Sequence, residues 1–317
     1  MKKLLFVFLI AASTACADTF TINENFATDP AADGWQTFGD ASLFNWDSTN
    51  QDLAVTWDSS HTNSYYYHPI GTFLTSGDDF TISFDLLLND AVNDGGTFQL
   101  AAGFLNLGNA VSPGFLRGTG DNATNVVEFD YFMDPFYGNS LAASELDASG
   151  LVADIYDDAP LDTNTTYHVS ITHVAGMPLV SAQVTVSNQP YSSLSSSYIE
   201  PGFDDFRVDT ISISSYSDQN AYGASILAHG TIANLSVTAT TRPVGKIKGQ
   251  FIGSVWQVQF ISRANWLYIL QRTTDFQNWT PVSPVTSGTD DTLILQDTSA
   301  PSTQGFYRVL AYQPSSS

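Results

Sequence analysis

Apolar and polar positions alternate with a period of two through most of this chain, the pattern of strands lying between two unlike faces. TFTINENF, DLAVTWDS, DDFTISFDLLLND, GGTFQLAAGFL, NVVEFDYF, TYHVSITHV, LVSAQVTV, DTISISSYS and TIANLSV are short runs rich in β-branched and aromatic residues. Clusters of Gly, Asn, Asp, Ser and Pro separate them, and no window holds a 3.6-residue apolar period over helical length. From Asp18 to about Thr240 the runs are too many for one small sheet, so two stacked sheets in a jelly-roll-like sandwich are expected. Residues 242–249 read as a linker. The pattern restarts at Gln250 with FIGSVWQVQFIS, NWLYILQRTT, DTLILQD and GFYRVLAY, predicting a small C-terminal β-sandwich over 250–312. Trp256, Trp266, Trp279, Phe306 and Tyr307 are its expected aromatic core, and 313–317 is expected to be a disordered tail.

One stretch carries chemistry as well as pattern. In NVVEFDYFMDPFYGN (125–139), Val127, Phe129 and Tyr131 alternate with Glu128, Asp130 and Phe132. One face suits a core, and the other bears two carboxylates roughly 6.5–7 Å apart at Cα, since each strand residue rises ~3.3 Å. Asp134, Pro135, Gly138 and Asn139 then break the strand into a polar loop. Two acids on a strand beside an oxygen-rich loop fit a calcium site, half of a glycosidase site, or a wet sheet face.

Charge sharpens the domain reading. Residues 18–241 hold 28 acids against two bases, Arg117 and Arg207, whereas 242–317 hold four acids and six bases. A change this abrupt at Arg242-Pro243 marks a domain boundary. So acidic a segment, without one lysine, excludes binding to a nucleic-acid backbone. At the N-terminus, Lys2 and Lys3, the apolar run Leu4 to Ala12 and Ala15-Cys16-Ala17 have the form of an export signal, residues 1–17, cleaved after Ala17. Lipid anchoring at Cys16 is the alternative, although Ser13 stands where such signals carry a large aliphatic residue. The apolar run is too short to span a bilayer, which takes ~20 residues. Cys16 is the single cysteine, so the segment after the signal forms no disulfide and no thiolate metal site. An exported protein, extracellular or at the cell surface, without a membrane span is expected.

VVEFDYF, in an all-β chain of this length with an acidic loop and strands such as TYHVSITHV following, resembles the concanavalin A-like lectin/glucanase superfamily. The legume-lectin form of this strand is E-x-D-x-(aromatic)-x-N, followed at five-residue steps by an Asp and a His. By that resemblance Glu128, Asp130 and the Phe132 carbonyl fall on metal positions, and Asp134 falls where the family has a calcium- and sugar-binding Asn. Asn139 stands in place of the Asp and Ser144 in place of the His, so the transition metal loses its imidazole. Calcium is the cofactor that this resemblance implies, through Glu128, Asp130, Phe132, Asp134 and Asn139. The first unit also resembles a group of secreted bacterial proteins in EFDYF, DFRVDT and SILAHG. The second is similar to a small module ending such proteins, on Tyr268, Leu270, Thr273, Asp275, Trp279 and Phe306 to Val309.

The glucanase branch implies a retaining hydrolase with E-x-D-x-x-E or E-x-D-x-E on this strand. Glu128 and Asp130 match, but Phe132 or Met133 takes the place of the acid that protonates the leaving group. The five histidines are scattered, with no nucleophile elbow and no H-E-x-x-H. His168 and His173 straddle one strand and point to opposite faces. Arg207 and Asp209 share a strand face and could pair. Tyr131, Phe136 and Tyr137 flank the acidic loop, and rings beside carboxylates suit a glycan platform. Tyr65, Tyr66 and Tyr67 must alternate faces if they form a strand, leaving at least one in solvent. The leading expectation is therefore a non-catalytic, lectin-like protein binding a polysaccharide through Glu128, Asp130, Tyr131, Asp134 and Tyr137. A glycoside hydrolase using Glu128 and a structural matrix protein are the alternatives.

Overall fold

The computed structural model describes residues 10–12, 17–93, 98–117, 122–134, 138–218, 226–301 and 304–313. The chain divides into two compact units: Phe20–Ala239, and Thr240–Ser317 together with the first nineteen residues. Described residues are almost wholly strand and turn, with one four-residue α-helix, Leu107–Ala110, and two 3₁₀ turns. Among them no helix is long and apolar enough to cross a membrane.

The first unit is the expected two-sheet sandwich. One eight-stranded sheet runs in space Ser196–Ile199, Val152–Asp157, Ser140–Leu146, Val126–Met133, Phe98–Leu105, Val208–Ser215, Ser64–Leu74, Gln36–Phe38. The other runs Gln189–Ser193, Ser181–Val186, Thr166–His173, Asp79–Asn93, Ile226–Thr241, Asp52–Asp58, Phe44–Asp47, with Asp18–Glu24 also on Ile226–Thr241. The alternation predicts which side faces in. Phe80, Ile82, Phe84, Leu86 and Leu88 are all buried at every second place of Asp79–Asn93. They meet Val127, Phe129 and Tyr131 of the opposite sheet in one core, with Phe84 edge-on to Phe129 at 6.1 Å. In Ile226–Thr241 the buried parity shifts by one residue between Ile232 and Leu235. Asn234 there takes the left-handed conformation (φ 48°), the signature of an extra residue absorbed without losing the core face.

Strands not evident from hydrophobicity, Ser140–Leu146 (SLAASEL) and Val152–Asp157 (VADIYD), complete the site sheet. Ser140–Leu146 is buried on both faces, so small side chains replace the usual apolar-polar alternation. Tyr65 and Tyr66 are both buried although they point to opposite faces. Something therefore covers the outer face of this sheet as well.

The second unit places a three-stranded sheet (Gly245–Ile252, Val255–Ile261, Thr292–Asp297) with a five-stranded one built on Leu267–Thr273 and Phe306–Tyr312. Residues 245–249, expected as linker, are instead the start of its first strand. Lys246 and Lys248 give that stretch a polar look, while Val244 and Ile247 pack on the core. Trp256, Trp266 and Tyr307 are core residues as expected, but Trp279 lies half-buried beneath the Arg308 guanidinium, 4.3 Å from its ring. Asp275 holds the intervening turn by accepting the Gln277 and Asn278 N–H groups, and those bonds keep its carboxyl far below the usual range. Gln313, expected in the tail, donates to Asp18, and 314–317 lie outside the described residues. Ile10–Ala12 of the expected signal pair in parallel with Phe306–Tyr312, while Lys2, Lys3 and Cys16 lie outside the described residues.

Candidate functional site

On Val126–Met133 the even positions Glu128 and Asp130 face away from the core, as the alternation requires. They are nevertheless 2% and 0% exposed. Register explains the space around them. Glu128 lies between Gly103 and Ser144, and Asp130 between Ala101 and Ala142, so every cross-strand neighbour on that face is small. Gly103 cannot be otherwise: a Cβ there would lie 2.3 Å from the Val127 carbonyl oxygen and 2.4 Å from Glu128 Cα. A shallow trough results, floored by two carboxylates.

The segment 106–117 closes over it. Its short helix is capped by the Asn106 side chain, which accepts from Asn109 N–H, and is tied down where Asp209 accepts the Leu107 N–H. Tyr65 donates its hydroxyl to the Ala110 carbonyl, and Asn63 donates to that of Phe115. The segment ends in Arg117, whose Nε donates to Glu128 Oε1 at 2.7 Å and whose second terminal nitrogen donates to Asp130 Oδ2 at 2.9 Å. Tyr216 donates to the other Glu128 oxygen at 2.6 Å, and Ser144 donates to Asp130 Oδ2 at 2.6 Å. One of the two bases of the acidic segment thus pairs with both outward acids of this strand.

The electrostatics follow from burial. Desolvation opposes the charge on Arg117, but Asp130 and Glu128 outweigh it, and its pKa rises above the ordinary value. Desolvation pushes the Asp130 carboxyl well up, Arg117 and Ser144 pull it back, and neighbouring Glu128 adds to the rise. Burial first, and then Glu128, keep the Tyr216 phenol protonated. Asp130 Oδ1 has no hydrogen-bond partner among the described residues.

Glu128 and Asp130 come together as expected, but in a closed ion cluster rather than an open face. The guanidinium stands at hydrogen-bond distance from both carboxylates, where a bound cation would have to be, so this donor set does not fit calcium. No group of three or more acids or histidines arranged to hold a metal occurs among the described residues. Tyr131, expected to bind ligand, points into the core. Its hydroxyl accepts from Leu161 N–H and the Asn139 amide, so Asn139 is turned toward a phenol. Phe132 is half-buried opposite Ser140, Asp134 follows the strand end and its carbonyl accepts Gly138 N–H, and Tyr137 lies outside the described residues. Arg207 stacks over Phe73 at 3.9 Å, and Asp209 accepts from Leu107 and Asn106. His168 is exposed beside Asp85 while His173 is buried, its ring nitrogens facing the Asp78 and Met177 carbonyls.

Sequence reasoning missed Arg117, Tyr216, and the outward residues of the sheet's far strands. The register puts Asp154 directly across from Ser144, and Tyr198 directly across from Asp154. Tyr156 lies two residues further along the same face and is 38% exposed, while Tyr198 is 52% exposed. Burial raises the Asp154 carboxyl, with Arg117 and the Tyr198 N–H pulling it back, and its Oδ1 is buried without a hydrogen-bond partner among the described residues. Alternation in VADIYD would have placed Asp154 and Tyr156 on one face had that run been taken as a strand.

No family model and no curated protein matches the chain. Among solved structures it is similar to the winged bean acidic lectin complexed with methyl-alpha-D-galactose, 14% identical over 70% of this chain and 99% of the lectin, TM-score 0.46. It is similar to a Lotus tetragonolobus seed lectin, 12% identical over 71% of this chain and 100% of that one, TM-score 0.46. An endo-1,3-beta-glucanase from Streptomyces sioyaensis is 12% identical over 73% of this chain and 100% of its own, TM-score 0.41. Lectins and a glucanase thus stand among the solved structures similar to this two-sheet sandwich.

Proposed function

We propose that this is an exported, non-catalytic carbohydrate-binding protein, with the first unit as the binding module and the second as an attachment or spacing module. One observation carries the non-catalytic part: both oxygens of Glu128 are engaged, one by Arg117 and one by Tyr216. A retaining glycosidase needs a nucleophile and a separate acid/base about 5–5.5 Å apart with access to the sugar. Here the acid best placed to be the nucleophile is neutralised and covered, and Phe132 occupies the next outward place on the strand. Exposed tyrosines beside a carboxylate on the same sheet face support glycan binding, because sugar C–H faces stack on rings while hydroxyls donate to the acid.

The direct test is a polysaccharide panel assayed both for binding and for release of reducing ends. Retention on at least one polysaccharide with no release is the expected result. Release that disappears in Glu128→Gln would replace this reading with a glycosidase.

Binding through this face does not call for calcium. Thermal unfolding is expected to give the same midpoint in millimolar calcium and in EDTA. A ligand at ~100 times its dissociation constant would add ~2.7 kcal/mol of stability. A calcium-dependent rise abolished by Asp130→Ala would restore the metal strand.

A further inference from the structure

Beyond the covered acids, the outer face of the same sheet continues onto its last two strands, Val152–Asp157 and the edge strand Ser196–Ile199. Tyr156, Asp154 and Tyr198 share that face, with Val152 and the small Ser196 beside them. Asp154 and Tyr198 are directly paired, and Tyr156 is diagonal to Tyr198 across the same two strands, opposite Ser196. Diagonal neighbours on a sheet face lie ~7–8 Å apart at Cα, within reach of two aromatic rings.

Tyr156 and Tyr198 are 38% and 52% exposed, whereas Tyr65 and Tyr216 on this face are fully buried under residues 106–117 and Tyr67 is half-buried. Beside them Asp154 is half-buried, and its Oδ1 has no hydrogen-bond partner among the described residues. The accessible part of this half-buried carboxylate can accept a hydroxyl from a ligand lying on the rings. Two rings open to solvent with a half-buried carboxylate beside them is the arrangement that a sugar satisfies, stacking on the rings and donating a hydroxyl.

We infer that Tyr156, Asp154 and Tyr198 form a glycan subsite at the open edge of this sheet, and that its ligand is a neutral polysaccharide. This deepens the carbohydrate-binding reading and rests on it. Charge selects the class. The segment 18–241 carries 28 acids and two bases. One of those bases, Arg117, is closed on Glu128 and Asp130, and the other, Arg207, is stacked on Phe73. A uronate or sulfated polymer would bring further negative charge to an acidic surface, and self-repulsion there opposes its approach. A neutral chain brings hydroxyl donors without that penalty.

Affinity electrophoresis of the full chain separates the possibilities, using laminarin, mixed-linkage β-glucan and galactomannan as neutral probes and alginate and carrageenan as anionic ones. Wild type is expected to be retarded by at least one neutral polymer and by neither anionic one. Tyr156→Ala and Tyr198→Ala should each weaken that retardation by roughly tenfold, equivalent to 1.4 kcal/mol. Asp154→Asn should also weaken it, because half of the amide group donates where the ligand must donate. Both rings are solvent-exposed, so the melting temperatures of the tyrosine variants should match wild type, which separates a binding loss from a folding defect. Retardation unchanged in both tyrosine variants would overturn the subsite and leave the carbohydrate reading standing. Retardation by the anionic polymers alone would overturn the ligand class. No retardation by any polymer would overturn both.

Discussion

Replacing Arg117 by Met is expected to lower the stability of the first unit by about 3–5 kcal/mol, the usual consequence of removing one partner from a buried ion cluster. The substitution keeps much of the side-chain length and takes away only the charge and its donors. Glu128 and Asp130 then remain dry, next to each other, with a single hydroxyl donor each from Tyr216 and Ser144. Urea unfolding followed at pH 7 measures the loss. The same loss should shrink as pH falls toward 4, because protonation of Asp130, already pushed up by burial, removes charge that Arg117 had balanced. Adding Glu128→Gln and Asp130→Asn to Arg117→Met should recover most of it, since the trough then holds neutral groups only. A cost below about 0.5 kcal/mol for Arg117→Met would mean that the cluster is exposed in solution, and the closed-site account would fail.

The second large effect concerns Glu145. It lies on Ser140–Leu146 opposite Val127, on the core side of the sheet, and is 1% exposed. Its Oε1 accepts the Val180 N–H at 2.6 Å. Burial pushes its carboxyl up to about 8, Val180 pulls it back, and Asp205 adds to the rise. The folded pKa thus lies above the ordinary value of 4.5, so the folded protein holds a proton that the unfolded chain releases. Its contribution is present in full below about pH 4.5 and is lost as pH rises through about 8. A tenfold change in proton affinity is worth about 1.4 kcal/mol, which makes roughly 5 kcal/mol an upper bound for the whole interval. Glu145→Gln keeps an oxygen for Val180 and removes the proton. Urea unfolding from pH 5 to 9 should show wild type losing stability relative to Glu145→Gln, with the gap widest at pH 8.5. Parallel pH profiles for the two proteins would refute the assignment. Taking the difference between them cancels the remaining titrating groups, which both proteins share.

These two acids show where sequence reading reaches its limit. Glu128 and Glu145 lie on strands that pair with each other; alternation sends the first outward, and the register opposite Val127 sends the second inward. Outward ordinarily means solvent, and inward ordinarily excludes an acid. Neither holds here, because burial depends on what else packs on a face, and that is settled by chain segments far away. Residues 106–117 cover Glu128, and the Val180 N–H meets Glu145. Tyr131 illustrates the converse, since its parity placed it in the core even though its chemistry suggested a sugar platform.

Period-two alternation along Asp79–Asn93 and Thr166–His173, with the turn residues between runs, was enough by itself to determine an all-β two-sheet sandwich and a second small β unit. Local sterics and the apolar face write that information into neighbouring residues. The charge break at Arg242 was equally local. Only the tertiary structure decided that the one arginine near the acidic strand would close on it, and that SLAASEL and VADIYD would be strands at all. Register alone set Tyr198 directly opposite Asp154 and diagonal to Tyr156. Cross-strand pairing joins residues such as Ser144, Asp154 and Tyr198 that are separated by loops, and no spacing along the chain encodes which of them will share a face.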